Sequence, residues 1–420
     1  MRSKNQFLER NSVASVFEDI DVIPFFQPII CLKTGRVFAY ESLIRGCSKI
    51  DNTIIPPKEL FSLTDSLHIT GDFDRLCQHR ALEAFKKFNS NSLLFMNVHT
   101  NYIFNGTKGQ QELPTLTEEM GFNPKVIGLE FIESRANSPQ DLISFVSKQR
   151  ESGFLIVVDD FGSEHSNIER LILLHPDIIK INRNIVHGID KDVYRQSILK
   201  SIVGLSEMTG AVCLAEGVET PEELMTCALF GVNLLQGFEI ARPDSDLKGL
   251  EAQALRKIEI YREKIYNKIL CRLRETRFLT GDVNMTADWL IRQIDVDSLE
   301  SMESVFQEFV VINPNVELIF LLDENGIQIS NMICAPHIEN KPYSYIFHVE
   351  EKGCNHSLRP YFTCFSAFKK TNRFLTDKHL SSCSGNLCRT LAIRLQGEGK
   401  SYILCIDFLE EEIKTPLHFH

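Results

Sequence analysis

The first half of the chain repeats one pattern, in which a short apolar run ends at a polar residue. The clearest run is Phe154–Val158, which is followed by Asp159 and Asp160 and shortly afterwards by Gly162. Because this run is too short for most helices, it predicts a buried strand. The two adjacent carboxylates at its end either form a turn or bind a divalent cation.

Seven other segments share this pattern, and each presents one polar side chain suited to catalysis or metal coordination. The runs and their polar residues are 22–28 with Gln27, 37–40 before Glu41, 93–96 before Asn97, 126–129 before Glu130, 178–179 before Lys180, 211–215 before Glu216 and 232–235 before Gln236. Eight strands with polar residues at their C-terminal ends are typical of a TIM-type (β/α)8 barrel, an α/β fold.

The first two predicted strands, 22–30 and 37–43, are joined by a short link that contains Lys33–Gly35. A parallel crossover needs a dozen or more residues, whereas a hairpin needs only a few. We therefore expect one strand of the barrel to be antiparallel.

Helical periodicity predicts the remaining elements of this half. The segments are a lead-in helix at 1–20 and helices at 56–90, 139–152, 164–174, 190–209 and 221–230. A long charged helix follows at 245–277, and it predicts a connector that leaves the barrel, with mainly solvated charged faces. An irregular heptad makes a dimer-forming coiled coil the weaker interpretation.

The pattern changes near residue 286, where a helical stretch at 286–312 precedes a series of short strands. The predicted strands are 318–322, 326–330, 343–348, 391–395 and 402–408, with a tight turn at Asp323–Gly326. This order predicts an α+β domain with an antiparallel sheet. The expected organisation is a barrel at 1–245, a connecting helix at 246–285 and a second domain at 286–420.

Composition limits the class of protein. The chain has 420 residues, 43% of them apolar and 24% charged, which is typical of a soluble globular protein. A net charge of −11 argues against general nucleic-acid binding, although a small nucleotide held through metal ions remains compatible with it. No apolar run is long enough for a transmembrane helix, and the N-terminus lacks the apolar core of a signal peptide. We therefore expect a cytoplasmic protein with twelve reduced cysteines.

The polar residues at the predicted strand ends form an oxygen-rich set: Glu41, Asn97, Glu130, Asp159 and Asp160. Such ligands suit Mg²⁺ or Mn²⁺ rather than zinc, and adjacent aspartates allow a second ion to bind beside the first. Two metal ions with the fixed charge of Lys180 suit hydrolysis of a phosphodiester. A single Glu, Asn or Lys at a strand end is usually a surface residue, but the convergence of the whole set argues against that interpretation.

Six short motifs carry a family resemblance. They are Glu41–Arg45, Leu129–Glu133, Asp159–Gly162, Lys180–Asn182, Ala215–Thr220 and Gln236–Phe238. Their order and spacing over about residues 20–245 resemble the EAL family of bacterial cyclic di-GMP phosphodiesterases. The resemblance implies a barrel with one antiparallel strand, a homodimer, and hydrolysis of cyclic di-GMP to linear pGpG with two Mg²⁺ or Mn²⁺ ions and inhibition by Ca²⁺.

The same resemblance implies a role for each matching residue. Glu41, Asn97, Glu130 and Asp159 would hold one metal ion, and Asp159 would bridge to a second ion beside Asp160. Lys180 and Glu216 would position or deprotonate the attacking water, with Gln236 supporting them. Gln27 and Arg45 would contact the nucleotide, and Glu133 would anchor the loop 161–167 after the aspartate pair.

Four positions depart from the family pattern: Ser42, His99, Glu164 and Asn182. Ser42 replaces the alanine of Glu-Ala-Leu, a change of similar size. Asn182 replaces a carboxylate, His99 is bulkier than the usual serine, and Glu164 stands where a glycine is usual. These differences leave open an alternative, a catalytically inactive cyclic di-GMP receptor, and a third interpretation, a scaffold that binds no nucleotide.

The C-terminal part more weakly resembles the PAS-like (Cache-like) sensor domains of some EAL proteins, through Leu321–Gly326 and Arg359–Phe362. An arginine beside aromatic residues either binds a small carboxylate or phosphate ligand, or pairs with an acidic neighbour. Cys383 and Cys388 are spaced too widely for a CxxC motif, so neither a metal site nor a redox site is expected from them.

Overall fold

The structure is a computed structural model that describes residues 16–99, 108–132, 139–163, 168–339, 349–397 and 399–410. The chain divides into two compact units at Leu270 and Cys271. Most of the predicted lead-in helix at 1–20, and the predicted strand at 343–348, lie outside the described residues. No helix among the described residues has the length and apolarity needed to cross a membrane.

The first unit is a closed eight-stranded barrel with one additional short strand. The strands are β1 (Ile20–Cys31), β2 (Arg36–Ser48), β3 (Ile54–Ile55), β4 (Leu93–Val98), β5 (Ile127–Ile132), β6 (Leu155–Phe161), β7 (Ile178–Ile181), β8 (Val212–Ala215) and β9 (Leu234–Leu235). The barrel order is β1-β9-β8-β7-β6-β5-β4-β2, closed by pairing of β1 with β2, and β3 extends β2. Strand β1 is antiparallel to both neighbours and the other barrel pairs are parallel, which confirms the predicted fold.

Helices connect these strands. They are α1 (Pro57–Ser66), α2 (Thr70–Phe88), α3 (Lys108–Glu119), α4 (Pro139–Glu151), α5 (Ile168–Leu174), α6 (Arg183–Val186), α7 (Val193–Thr209) and α8 (Pro221–Leu229). The predicted helical region at 56–90 is therefore two helices, because His68 between them has a φ of 57°, which a right-handed helix cannot contain. Helix α9 (Leu247–Ile291) continues beyond the predicted end of the connecting segment at 285.

Alternating side chains give the barrel strands two apolar faces. One face packs against the surrounding helices, as Ile156 and Val158 do on β6. The other face belongs to a separate cluster that contains Val157 and is formed by residues of the strands. Gly128 on β5 faces this second cluster, and a Cβ there would lie 2.6 Å from the ring of Phe95, so only glycine fits.

The second unit is an α+β domain built on one antiparallel sheet. Its strands are β10 (Val316–Leu322), β11 (Ile333–Cys334), β12 (Arg373–Leu375), β13 (His379–Leu380), β14 (Leu387–Gln396) and β15 (Ser401–Leu409). The order is β11-β10-β15-β14-β12, and β13 pairs with β14. The helices of this unit, besides the end of α9, are α10 (Leu299–Ile312), α11 (Pro336–Glu339) and α12 (Pro360–Ala367).

The strand predicted at 326–330 in this unit does not form, so that prediction is wrong. The turn at Asp323–Gly326 forms, but residues 326–330 make only isolated bridges and no strand. The Ser330 hydroxyl accepts the backbone N–H of Leu321 at 2.9 Å, so a side chain takes the place of a backbone partner.

Cys383 and Cys388 are not bonded to each other: the thiol of Cys383 lies 3.3 Å from that of Cys334, and Cys388 donates to Glu317 at 2.7 Å.

Candidate active site

The predicted site residues form a layer at one end of the barrel interior. On parallel strands, each polar residue follows the interior apolar residue by two positions, as Asp159 follows Val157 and Lys180 follows Ile178. On the antiparallel β1 the polar residue precedes it, as Gln27 precedes Ile29. Because side chains alternate along a strand, this spacing places eight residues on the inner face: Gln27, Glu41, Asn97, Glu130, Asp159, Lys180, Glu216 and Gln236.

Lys180 lies at the centre of this layer with a side chain that is 1% exposed. Its ammonium Nζ is 2.5 Å from Glu216, 2.8 Å from Glu130, 3.3 Å from Asp159 and 3.5 Å from Glu41. One buried cation therefore holds together four carboxylates that come from four different strands or strand ends.

This excess of negative charge shifts the acidities of the layer. Burial raises the pKa of Glu130, of Asp159 and of Glu216, and repulsion from neighbouring carboxylates adds to the effect of burial in each case. Burial lowers the pKa of Lys180, but the surrounding carboxylates outweigh this and raise it well above its ordinary value. Lys180 is therefore a permanent cation, and the carboxylates still lack positive charge.

Glu41 is the exception among the acids. Burial raises its pKa, but the charge of Lys180 and hydrogen bonds from Gln236 and Asn97 outweigh burial, so its pKa is lowered. Gln236 donates to Glu41 at 2.5 Å and to Gln27 at 3.2 Å, and Gln27 donates to the carbonyl of Ala241 at 3.0 Å. The two glutamines thus orient a carboxylate that stays ionised.

A β-bulge brings the two aspartates together. Between Val158 and Phe161, β6 advances by three residues while its partner β7 advances by two, and Asp160 has a φ of 57°. In a regular strand, adjacent side chains point to opposite faces, and the extra residue removes this constraint. The amide of Asn182 donates to Asp160 at 2.6 Å, so Asn182 orients this carboxylate.

The site residues fit a divalent metal ion by their chemistry. Ligand atoms of Asp159, Asp160 and Glu216 all lie within 4.8 Å of one another. Among the described residues, no donor reaches the buried Oε2 of Glu130 or the Oε1 of Gln236. With Asp160, the site holds five carboxylates against the single ammonium of Lys180, which contacts four of them, so two divalent cations would balance the charge. The family resemblance implied a role for Glu216 at the attacking water, and its proximity to the two aspartates makes it a further candidate metal ligand.

A cavity of about 680 Å³ opens beside this layer. Its wall includes Glu41, Asn97 and His99 from the barrel, and side chains of α1 and α2. The ring of His99 stacks on Phe61 at 5.4 Å between centroids. The volume of the cavity lies within the usual range for ligand pockets. The contribution of α1 and α2 to this cavity was not predicted, because their periodicity indicated only an apolar face.

Asp74 on α2 lines this cavity, and burial raises its pKa to about 7, against opposing contributions from the His99 N–H and Arg75. Because the folded-state pKa lies above the unfolded value, this group destabilises the fold as pH rises from about 4 to about 7. We expect Asp74→Asn to remove at most about 4 kcal/mol of that pH dependence. Urea unfolding with EDTA across this pH range measures it.

Asp72→Asn is the matched control, because Asp72 lies on the same helix with its side chain 60% exposed. It should leave the pH dependence of unfolding unchanged. Parallel stability curves for Asp74→Asn and the unsubstituted protein would contradict the role given to Asp74.

The segment between Glu216 and α8 depends on one buried carboxylate. Glu223, which is 1% exposed, accepts the backbone N–H groups of Gly188, Glu219 and Thr220 at 2.8–3.2 Å. Thr220 in turn accepts the N–H of Glu223, which completes a capping box. We expect Glu223→Ala to lower the free energy of unfolding by about 2–4 kcal/mol, because three donors lose their acceptor.

Chemical denaturation measures this change, and Glu222→Ala in the same helical turn is the control. Glu222 is exposed, so its replacement should cost less than about 1 kcal/mol. Equal losses in the two variants would show that the buried hydrogen bonds contribute little.

Of three remaining positions from the sequence analysis, the structure describes only Arg45. Arg45 lies on β2 beyond Glu41, where its guanidinium donates to the carbonyl of Ile44 at 2.8 Å and lies 5.8 Å from the ring centre of Phe25. Glu133 and Glu164 lie outside the described residues.

Comparison with known proteins shows a family match and similar relatives. The EAL domain family profile matches residues 10–243. The "Uncharacterized EAL-domain containing protein YkuI" of Bacillus subtilis 168 is 24% identical over 387 residues, which span 89% of this chain and 91% of YkuI. The "Probable cyclic di-GMP phosphodiesterase PdeA" of Escherichia coli K12 is 26% identical over 256 residues, or 58% of this chain. The alignment spans only 33% of PdeA.

A solved structure has the same fold. The crystal structure of Bacillus subtilis YkuI, described as a complex with substrate c-di-GMP and calcium, aligns with a TM-score of 0.74 at 23% identity. The alignment covers 98% of this chain and 100% of that chain. Both the barrel and the C-terminal α+β fold therefore occur together in a solved protein.

Proposed function

The chain belongs to the EAL domain family of cyclic di-GMP phosphodiesterases, and from this membership we propose that it hydrolyses cyclic di-GMP to linear pGpG. The observation that carries the proposal is the buried Lys180 among four carboxylates, next to the Asp159–Asp160 bulge. A charged layer of this kind stabilises no fold by itself, since its acids repel one another. It suits a site whose missing positive charge would be supplied by bound metal ions.

Mg²⁺ or Mn²⁺ is the proposed cofactor, with two ions in each site. Glu41, Asn97, Glu130 and Asp159 would hold one ion, while Asp159 and Asp160 would hold the other, with Glu216 as a further ligand. When bound, such ions activate water and stabilise charge on the phosphate. Ca²⁺ has the same charge but favours looser coordination with more ligands, so it would support binding and inhibit turnover.

The chain's own residues would position the reactants. The ammonium of Lys180 would attract the phosphate and the attacking water, and Glu216, whose pKa burial raises, would accept a proton from that water. Gln236 would keep Glu41 oriented. Gln27 and Arg45 would contact the nucleotide, which would extend into the 680 Å³ cavity.

The second unit is proposed to be a PAS-like sensor domain that regulates the barrel. The proposed organisation is an EAL domain at 1–245, a connecting helix at 246–285 and a sensor domain at 286–420. An α+β domain with an antiparallel sheet and its own cavity of about 270 Å³ supports this assignment. A homodimer located in the cytoplasm completes the proposal.

The experiment that tests this function is hydrolysis of cyclic di-GMP by the full-length protein with Mg²⁺ and, separately, with Mn²⁺. A binding titration in Ca²⁺ accompanies it. Formation of pGpG supports the phosphodiesterase. Tight binding without product supports the receptor, an alternative favoured by Asn182, whose amide meets Asp160 where the family has a carboxylate. Absence of both binding and product contradicts both functions.

A further inference from the structure

The second unit contains a cavity of about 270 Å³ against its sheet. Residues of β10, β14 and β15 form one wall, and residues of α12, β12 and β13 form the others. Its volume lies just below the range of pockets for drug-sized ligands. The cavity therefore fits a small organic molecule.

A buried carboxylate lies in the wall of this cavity. Asp407 is 5% exposed, and its Oδ1 accepts a hydrogen bond from the Thr390 hydroxyl at 2.6 Å. The same hydroxyl lies 3.2 Å from Nε2 of His379. Among the described residues, no Lys, Arg or His nitrogen approaches the Asp407 carboxylate closely enough for an ion pair. Burial raises the pKa of Asp407, although the hydrogen bond from Thr390 and the more distant His379 and Arg359 oppose this effect.

The arginine and the lysine of the cavity wall have acidic partners. Arg359 pairs with Glu350 at 3.2 Å, which agrees with the second of the two interpretations of this residue. Lys378 pairs with Glu410 at 2.9 Å. Both side chains are therefore occupied, and a carboxylate or phosphate ligand that binds Arg359 would have to displace Glu350.

Aromatic side chains form much of the remaining wall. Phe320, Tyr361 and Phe374 line the cavity, and the first two rings meet edge to face with centroids 6.1 Å apart. Aromatic faces attract cations, and they also pack against alkyl chains. A buried carboxylate with no ion-pair partner and an aromatic wall both favour a ligand that carries a positive charge.

We propose that this cavity binds a small molecule through a primary ammonium group, which donates to the Asp407 carboxylate while the carbon chain packs against Phe320, Tyr361 and Phe374. The chemistry fits a free alkylamine and equally the ammonium of an amino acid. The proposal goes beyond phosphodiester hydrolysis and does not depend on it, because ligand binding can be measured without turnover.

Calorimetric titration of the full chain with three probes tests the proposal: butylamine, L-leucine and butyrate. We expect butylamine, leucine or both to bind, and butyrate to bind at least tenfold more weakly. Binding of butylamine alone would identify a free amine as the ligand class, and binding of leucine alone would identify an amino acid. Binding of neither, or preference for butyrate, would overturn the proposal.

Substitutions locate the site. Asp407→Asn, which keeps the size of the side chain, should weaken binding of the ammonium probe at least tenfold. Asp377→Asn is the matched control, because Asp377 lines the same cavity but is exposed, and affinity should stay within about twofold. Unchanged affinity in Asp407→Asn would overturn the assignment.

A second variant keeps the test decisive if Asp407→Asn fails to fold. Phe374 is only partly buried, so Phe374→Leu should preserve the fold. It removes one aromatic face, and the affinity for the ammonium probe should fall severalfold. An unchanged affinity in this variant would likewise count against the site.

Discussion

Replacing Asp159 with asparagine should lower the turnover of cyclic di-GMP by roughly a thousandfold and leave the barrel folded. A metal ligand that contributes about 4 kcal/mol to the transition state accounts for a loss of this size. Folding should survive, because burial and repulsion from Glu41 and Asp160 already disfavour the ionised carboxylate. The asparagine carbonyl also retains the acceptor for the N–H of Asp160, which Asp159 bonds at 2.9 Å.

Steady-state kinetics in Mn²⁺ and thermal unfolding in EDTA measure the two parts of this expectation. Asp21→Asn is the control, because Asp21 is on β1 with a side chain that is 62% exposed. It should change neither quantity. If Asp159→Asn instead unfolds the protein, the aspartate supports the barrel, and its role as a metal ligand loses this support.

Replacing Lys180 with methionine should destabilise the metal-free protein by about 3–5 kcal/mol, the usual cost of removing one partner from a buried charge cluster. Four carboxylates within 3.5 Å of the ammonium would lose their shared cation. The pKa values of Glu130, Asp159 and Glu216 would rise further, and the pKa of Glu41 would no longer be held down by Lys180. The destabilisation would therefore be largest at high pH and would diminish as pH falls and the acids are protonated. Turnover should be lost in the same variant.

Urea unfolding in EDTA, and again with excess Mg²⁺, measures the effect. Divalent ions should restore part of the stability, because they supply the missing positive charge. Lys191→Met provides the control: Lys191 is 87% exposed and its removal should change stability by less than about 0.5 kcal/mol. If Lys180→Met is as stable as the unsubstituted protein without metal, the four acids do not depend on this cation.

The barrel and its site layer follow from local patterns. Each apolar run encodes a strand, and the residue at its end encodes a position on the inner face, because strand side chains alternate with a period of two. Lys180 two residues after Ile178 and Asp159 two after Val157 illustrate this, since both pairs share the barrel interior. The short link before β2 likewise determined the antiparallel strand β1. The motifs from Glu41 to Phe238 then indicated the family.

Contacts between distant parts of the chain were decided only by the tertiary structure. Gln236 meets Glu41 across 195 positions, and this contact exists only because the barrel closes. The bulge that turns Asp160 toward Asp159, and the approach of Glu216 to both, depend on the register between neighbouring strands. Thr390 and Asp407 meet because β14 and β15 pair, which brings a buried carboxylate into a cavity. Sequence patterns encode which way a side chain points, whereas closure and register determine which side chains it meets.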